Sequence, residues 1–270
     1  MSAAATRMES RVAGAIYGMY IGDALAMPVH WYYDVGRIKT DFGASGITTY
    51  REPVKKFPGS IMSLSNTGGG GRGSDKGSII GDVIAKGKKK FWKRGGNFHY
   101  HHGMKAGENT LDTLIARLLM KSIVEQGGGD VDGKKFLEKY VTYMTTKDLG
   151  YVEDPFAERC HHDVYVATAH RMFFANYIKS KDVMTAADND GHNTDAIDGL
   201  INVVPLALRD AVANKLPKET DATKKKEIDY VINLIRKSKT LPPFGFLTYE
   251  LMRRILHGED LRSVHPGITP

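Results

Sequence analysis

The chain has 270 residues, of which 41% are hydrophobic and 26% are charged, and its formal net charge is +7. This composition is typical of a folded, water-soluble protein, and no uninterrupted run of about 18 apolar residues predicts a membrane span. Residues 1–11 lack the apolar stretch of a secretory signal, and the single Cys160 excludes a disulfide framework. We therefore expect a cytoplasmic protein, with organelle targeting left open.

The excess positive charge is concentrated in residues 86–94 and 224–226. A solvated basic surface is the favoured interpretation, and attraction to an anionic ligand or to nucleic acid is the alternative. Because the chain contains no recognisable nucleic-acid-binding motif, we expect neither a nucleic acid nor a membrane as a partner.

The first predicted element is a long buried helix over residues 9–27, with Val12, Ile16, Met19 and Tyr20 on its apolar face. Three glycines, Gly14, Gly18 and Gly22, recur every four residues and predict that neighbouring helices pack closely against this side. Asp23 lies on the same apolar helix, and a buried carboxylate needs a partner. It is either a hydrogen-bonded structural acid or a support for a polar site.

A short helix is predicted over residues 35–39, and residues 42–98 are irregular and glycine-rich. The run Gly68–Gly71 matches neither a phosphate-binding loop nor a dinucleotide fingerprint. We interpret this segment as a mobile connection, with a lid over a site as the functional alternative.

Polar residues are densest between His99 and Asp112, directly before a predicted core helix. Apolar residues at i, i+3, i+4, i+7 and i+8 from Leu111 define a buried helix face, and Thr110 occupies the N-cap position. The polar residues of the stretch are His99, His101, His102, Glu108, Asn109, Thr110 and Asp112. They form either a site or an ordinary polar loop before a capped helix.

Further helices are predicted over residues 132–145, 163–178, 224–236 and 246–256. Alternating β patterns are scarce, so the predicted fold class is all-α: a compact orthogonal multi-helix bundle in a single domain spanning 1–270. His170 falls within an apolar helical pattern, where a histidine is more often a satisfied core residue than a ligand.

A second polar cluster, 188–195, precedes an apolar helix that runs to Leu208, repeating the design of the first. Asp195 and Asp198 are three residues apart, which predicts that they share a helix face. Two helix starts that each offer threonine and aspartate could converge on Mg²⁺. Alternatively, the acids are there because helix N-termini favour negative charge.

Three blocks in this order resemble the ADP-ribosylglycohydrolase family: Gly14–Trp31, Thr110–Thr113 and Asn193–Ala196. The sequence Trp31-Tyr32-Tyr33-Asp34 is similar to the branch that contains jellyfish lens crystallins. The resemblance implies an all-α bundle whose cleft holds two Mg²⁺ ions. It also implies cleavage of the N- or O-glycosidic bond between ADP-ribose and a protein side chain or small acceptor.

The chain departs from the family pattern at positions that matter for metal binding. Leu111 and Asn193 stand where the family has aspartate, Ala196 replaces a threonine, and His30 replaces a glutamate. The resemblance leaves Thr110, Asp112, Asn193 and Asp195 as metal ligands, so we expect one Mg²⁺ ion or none. Imidazoles could instead recruit Zn²⁺.

Two functions follow from this resemblance. In the first, the protein is a hydrolase of an ADP-ribosylated or related nucleotide-sugar substrate, with Asp112 and Glu108 as catalytic residues. The predicted substrate-binding residues are His99, His101, His102, Asn109, His170, His192 and Asp198. In the second, the protein is catalytically silent and acts as a ligand-binding module or a crystallin-like structural protein. The oligomeric state is left open.

Overall fold

A computed structural model describes residues 3–69, 77–147, 160–189, 193, 195–213 and 222–260, with side chains from Arg7 onward. The α-helices within these ranges are α1 Ala3–Ala26, α2 Val35–Phe42, α3 Leu111–Glu125, α4 Gly133–Thr145, α5 Thr168–Ser180, α6 Val204–Val212, α7 Ala222–Ile232 and α8 Leu241–Leu256. A 3-10 helix, Ile197–Val203, leads directly into α6. The same ranges contain isolated β-bridges and no strand, which confirms the all-α prediction.

Helix α3 lies in the main hydrophobic core, as its periodicity predicts. Leu111, Ile115 and Leu119 are each at most 2% exposed, and they pack with residues of α4 and α5 such as Phe136 and Phe173. The helix ends at Glu125, and Gly127 and Gly128 adopt positive φ shortly after it.

The glycine-rich segment contributes to this core, so its interpretation as a mobile connection is wrong for the described residues. Ile80, Ile84 and Trp92 are fully buried, and the indole of Trp92 donates to the Val164 carbonyl at 3.1 Å. Gly81 adopts a φ of 105°, which supplies the tight turn between the two buried isoleucines. The composition of the segment did not predict this packing, because its glycines outnumber the few large apolar residues that are buried in the core. Part of the proposed lid, 70–76, lies outside the described residues.

Helix α1 packs through one face only, which corrects the prediction of a buried central helix. Val12 and Ile16 pack against Leu208 and Leu256 of α6 and α8. The glycine face is open: a Cβ at Gly14, Gly18 or Gly22 would meet no atom within 4 Å of those described. Exposed fractions of 67% at Tyr17 and 43% at Ile21 mark the same face.

The segment Arg7–Val29 is the one helix among the described residues that is long and apolar enough to cross a membrane. Its best window has a mean hydropathy of 1.3. Core helices and signal sequences satisfy the same criterion of length and composition.

Helix α5 begins five residues later than predicted, at Thr168. Residues 163–167 are not helical, because the Asp163 carboxylate accepts backbone N–H groups from Leu111 and Tyr165, each at 3.2 Å. Helices α6, α7 and α8 pack together around Asp210, which is 1% exposed and accepts from the Tyr249 hydroxyl at 2.7 Å.

Candidate active site

A cavity of about 380 Å³ opens where the C-terminal end of α1, the start of α3 and the 3-10 helix meet. We call it the polar cavity. The side chains that line it are Asp23, Ala26, Met27, Val29, His30, His101, Thr110, Asp112, Thr113, Asp198 and Ile201. Three aspartates, two threonines and two imidazoles therefore converge on one space from segments distant in sequence.

Asp23 joins α1 to the start of α3. Its Oδ1 accepts the Thr110 hydroxyl at 2.7 Å, and its Oδ2 accepts the Thr110 backbone N–H at 2.7 Å and the Asn109 amide at 2.9 Å. Thr110 is the N-cap residue, as predicted, but its side chain makes no capping hydrogen bond. The hydroxyl that would cap the helix is used to hold Asp23, which explains a carboxylate on an otherwise apolar helix.

Asp112 is oriented by a buried chain of hydrogen bonds. His170 Nε2 lies 3.2 Å from Asp112 Oδ1, and the Tyr140 hydroxyl lies 2.7 Å from His170 Nδ1. The Asp112 side chain is 28% exposed, whereas His170 is 2% exposed. Burial raises the pKa of Asp112, but hydrogen bonding to His170 and its charge outweigh burial and lower that pKa below its usual range. Asp112 is therefore an ionised carboxylate that water in the cavity can reach.

Asp198 faces a buried cation. Arg236 donates from Nη1 to Asp198 Oδ1 at 2.9 Å and from Nη2 to Oδ2 at 3.4 Å, and its side chain is 2% exposed. Burial and the nearby charge of Asp112 raise the pKa of Asp198 despite the opposing effect of Arg236. The charge of Arg236 also lowers the pKa of Asp112, so this one guanidinium acts on two carboxylates of the cavity.

A second chain of hydrogen bonds reaches the cavity through His30. Its Nδ1 lies 2.5 Å from His101 Nε2, and His101 Nδ1 lies 2.9 Å from Asp163 Oδ1. Both His101 and Asp163 are 2% exposed. Burial lowers the pKa of His30 to about 3, with the charge of His101 acting in the same direction. Burial also acts to lower the pKa of His101, but the adjacent Asp163 carboxylate raises it overall.

Four of the predicted site residues line the polar cavity: His101, Thr110, Asp112 and Asp198. The predicted residues that lie elsewhere among the described positions are His99, His102, Glu108, Asn109, His170, Asn193 and Asp195. Two of these residues contact lining residues without lining the cavity themselves. Asn109 contacts Asp23, and His170 contacts Asp112. The predicted His192 lies outside the described residues.

The remaining residues of the predicted set have other surroundings. His99 is fully buried and accepts the His101 backbone N–H at 3.1 Å. His102 packs between the rings of Phe91 and Phe98, each with its centroid 4.9 Å away. Glu108 accepts the Lys105 backbone N–H and pairs with His162 at 3.0 Å.

The expectation that Asp195 and Asp198 share a helix face is wrong. Asp195 is exposed and precedes the 3-10 helix, whereas Asp198 lies inside that helix and lines the cavity. Asn193 is also exposed.

Sequence reasoning did not single out Asp163, Arg236 or Tyr140, and it noted His30 only as a departure from a motif. Asp163 had a local signal, because it follows His161 and His162 directly. Arg236 and Tyr140 had none, since each is an ordinary residue of a predicted amphipathic helix until the fold brings it to the cavity.

The residues of the polar cavity do not fit the two-ion centre that the resemblance implies. Of the expected ligands, the Thr110 hydroxyl donates a hydrogen bond to Asp23, and Asp195 lies outside the cavity. The Arg236 guanidinium occupies the space beside Asp198 where a second cation would have to bind. Within the described ranges, no group of three or more His, Cys, Asp or Glu side chains has the arrangement of a metal site.

The described part of the chain is an all-α bundle that gathers carboxylates and imidazoles into one cavity. The family model described as ADP-ribosylglycohydrolase matches residues 4–225. The chain therefore belongs to the ADP-ribosylglycohydrolase family. Neither the curated proteins nor the solved structures give a match, so the resemblance to jellyfish lens crystallins stays a prediction.

Proposed function

We propose that this protein hydrolyses the glycosidic bond that joins ADP-ribose, or a related nucleotide sugar, to a protein side chain or small acceptor. The observation that supports this proposal is Asp112, an ionised carboxylate at the cavity whose position is held by His170. A carboxylate in this state can orient a water molecule and accept its proton as the oxygen attacks the anomeric carbon. The bond from that carbon to the acceptor breaks, and the acceptor leaves with a proton.

The steps assigned to the cavity pass through protein groups alone. Its carboxylates already face protein cations or donors: Arg236 at Asp198, His170 at Asp112, and Thr110 with Asn109 at Asp23. No step is assigned here to a further cation. Magnesium assistance therefore stays a separate question, which titration of the protein with Mg²⁺ addresses directly.

A second candidate, a non-catalytic binder of an ADP-ribose-type ligand or a crystallin-like structural protein, is favoured by one specific observation. The Asp23 carboxylate is engaged by three donors, and the Asp198 carboxylate is engaged by Arg236 through both of its oxygens. Acids held in this way stabilise the walls of a cavity without taking part in chemistry.

The two candidates are separated by incubating the wild type, Asp112→Asn and the exposed control Asp82→Asn with ADP-ribosyl-arginine and ADP-ribosyl-serine peptides. Each reaction is run with Mg²⁺ and with EDTA, and released ADP-ribose is quantified. We expect release by the wild type and the control, and a loss of about 10²–10⁴-fold in Asp112→Asn, which is the usual contribution of general acid–base catalysis. Equal release by all three proteins would remove Asp112 from its role.

Release by none of the three would contradict the hydrolase proposal. Calorimetry with ADP-ribose then decides between the remaining possibilities, because a binding module gives a saturable heat and a purely structural protein gives none.

A further inference from the structure

We infer that His30, His101 and Asp163 form a proton relay in which His30 is the general acid that protonates the leaving group. The assignment rests on the proposed function, because it names the residue that completes the reaction begun by Asp112. His30 is the catalytic residue of the relay: it lines the cavity, and its Nε2 is not engaged by His101, whereas both ring nitrogens of His101 are engaged within the relay. His101 and Asp163 are positioning residues, which act through it.

The distances define the direction of the relay. Asp163 is acceptor-only when ionised, so the His101 nitrogen 2.9 Å from it, Nδ1, must carry a hydrogen. When His101 is charged, its Nε2 also carries a hydrogen, and the partner 2.5 Å away is Nδ1 of His30. The hydrogen of a neutral His30 is then on Nε2, the ring nitrogen that His101 does not engage.

The negative charge of Asp163 keeps His101 protonated. Asp163 is 2% exposed and is held by two backbone N–H groups as well as by His101, and its pKa is lowered to about 2, with burial opposing that shift. The Asp163 anion that contacts His101 stabilises its imidazolium, whereas burial and the charge of His101 depress the pKa of His30 despite the opposing charges of Asp112 and Asp163. The mobile proton therefore resides on His101 and is offered to His30.

Aromatic rings restrict the orientation of His30. Its centroid lies 5.5 Å from the ring of Trp31, 5.4 Å from Tyr100 and 5.6 Å from Tyr165, and the Trp31 and Tyr165 contacts are edge-on. These contacts hold the imidazole between His101 and the cavity. A general acid that is fixed in this way does not need to rotate before it transfers its proton.

The proton balance closes over one turnover. Asp112 accepts a proton from the attacking water, and the oxygen of that water bonds to the anomeric carbon. As the bond to the leaving nitrogen or oxygen breaks, His30 donates its Nε2 proton to that atom and receives a proton at Nδ1 from His101. After this step His30 carries its hydrogen on Nδ1, His101 is neutral and Asp112 is protonated. The relay is reset when solvent carries the proton from Asp112 to Nε2 of His30 and His30 returns its Nδ1 hydrogen to Nε2 of His101.

The test compares two substrates that differ in their need for an acid. ADP-ribosyl-serine leaves as a basic alkoxide, whereas a 4-nitrophenyl glycoside of ADP-ribose leaves as a stable phenolate that needs no proton. The variants are His30→Gln and Asp163→Asn, with His257→Gln, at the C-cap of α8, as the matched histidine outside the cavity. We expect His30→Gln to lower kcat for the serine substrate by about 10²–10⁴-fold with KM within about twofold, and to slow the nitrophenyl substrate by less than about tenfold.

We expect Asp163→Asn to show the same substrate dependence and His257→Gln to resemble the wild type. Equal slowing of both substrates in His30→Gln, while the wild type turns over, would overturn the relay and leave the proposed function intact. A wild type that cleaves neither substrate would overturn the proposed function and the acid role together.

A spectroscopic measurement on the wild type tests the relay without turnover or variants. In ¹⁵N-histidine NMR, we expect His30 as the Nε2–H tautomer and His101 with hydrogens on both ring nitrogens. A His30 that carries its hydrogen on Nδ1 would overturn the assigned direction of the relay whatever the activity of the protein.

Discussion

Asp163→Asn is expected to have a large electrostatic effect on folding. The carboxylate is 2% exposed and accepts from His101 Nδ1 at 2.9 and 3.0 Å and from two backbone N–H groups at 3.2 Å. Asparagine retains one oxygen for the backbone donors but removes the anion that faces the buried imidazolium. The variant therefore leaves His101 either charged without a counter-ion or neutral without its partner.

The expected loss can be derived from the pKa of the carboxyl group. That pKa is about 2 in the folded protein against an ordinary 3.8, a difference equivalent to about 2.5 kcal/mol of folding free energy. Removing one partner of a buried ion pair costs about 3–5 kcal/mol, and the retained amide oxygen offsets part of this. We expect Asp163→Asn to lower the free energy of unfolding by about 2–4 kcal/mol at pH 7.

The sign of the pH dependence follows from the lowered pKa. A carboxyl whose folded pKa is depressed stabilises the protein above its unfolded pKa, and this contribution is lost as pH falls towards the folded value. The contribution of the carboxyl should therefore be full at pH 7 and should fall between about pH 4 and pH 2. The raised pKa of His101 acts in the opposite sense, because an imidazolium held by Asp163 stabilises the folded state below the unfolded histidine pKa of about 6.5. The difference between the wild type and Asp163→Asn should therefore change between pH 7 and pH 3.

Urea unfolding followed by the fluorescence of Trp31 and Trp92, at pH 7 and at pH 3, measures both effects. The control Asp82→Asn, at an exposed position, should change the free energy of unfolding by less than about 0.5 kcal/mol. If Asp163→Asn matched this control at pH 7, or if the difference were the same at both pH values, the buried pair would not have the energetic role assigned to it.

Three further predictions address other features of the fold and the cavity. Gly18→Ala should raise the free energy of unfolding by about 0.5–1 kcal/mol in urea titrations, because the added methyl meets no described atom and alanine favours the helix; a loss would indicate a partner packed on this face. Trp92→Ala should cost about 3–5 kcal/mol by the same assay, whereas a mobile connection would tolerate it. In thermal-shift titrations, Mg²⁺ should leave the Tm of the wild type unchanged. It should raise the Tm of Arg236→Gln, because Asp112 and Asp198 lose their shared cation in that variant. A Mg²⁺-dependent rise in the Tm of the wild type would contradict the role assigned to Arg236.

Much of the helical framework is predictable from local patterns. The predicted helix from Leu111 and the helix over 132–145 match α3 and α4 closely, because each combines a clear 3.6-residue period with an N-cap residue and a glycine or polar stop. The prediction of the α5 start is wrong because the apolar pattern continues back to Asp163, whose carboxylate instead accepts from the Tyr165 backbone and, across the fold, from the Leu111 backbone and His101.

The candidate site is also predictable only in part, because local patterns identify helix starts but not long-range contacts. Thr110, Asp112 and Asp198 lie at helix starts marked by capping and polar residues, so their approach to one another could be anticipated. Glu108 and Asp195 have the same local signals but lie outside the cavity. Local pattern identifies which residues begin a helix, and it does not specify in which direction each side chain points.

The sequence by itself determined the all-α class, the family and the polar helix start at Thr110, because these depend on periodicity and on ordered motifs. Only the tertiary structure decided that the glycine face of α1 is open and that His30 lies 2.5 Å from His101. It also decided that Arg236 provides the cation beside Asp198, 38 residues away. Partners of a buried charge are chosen by distance in space, and that distance is set only when the helices pack.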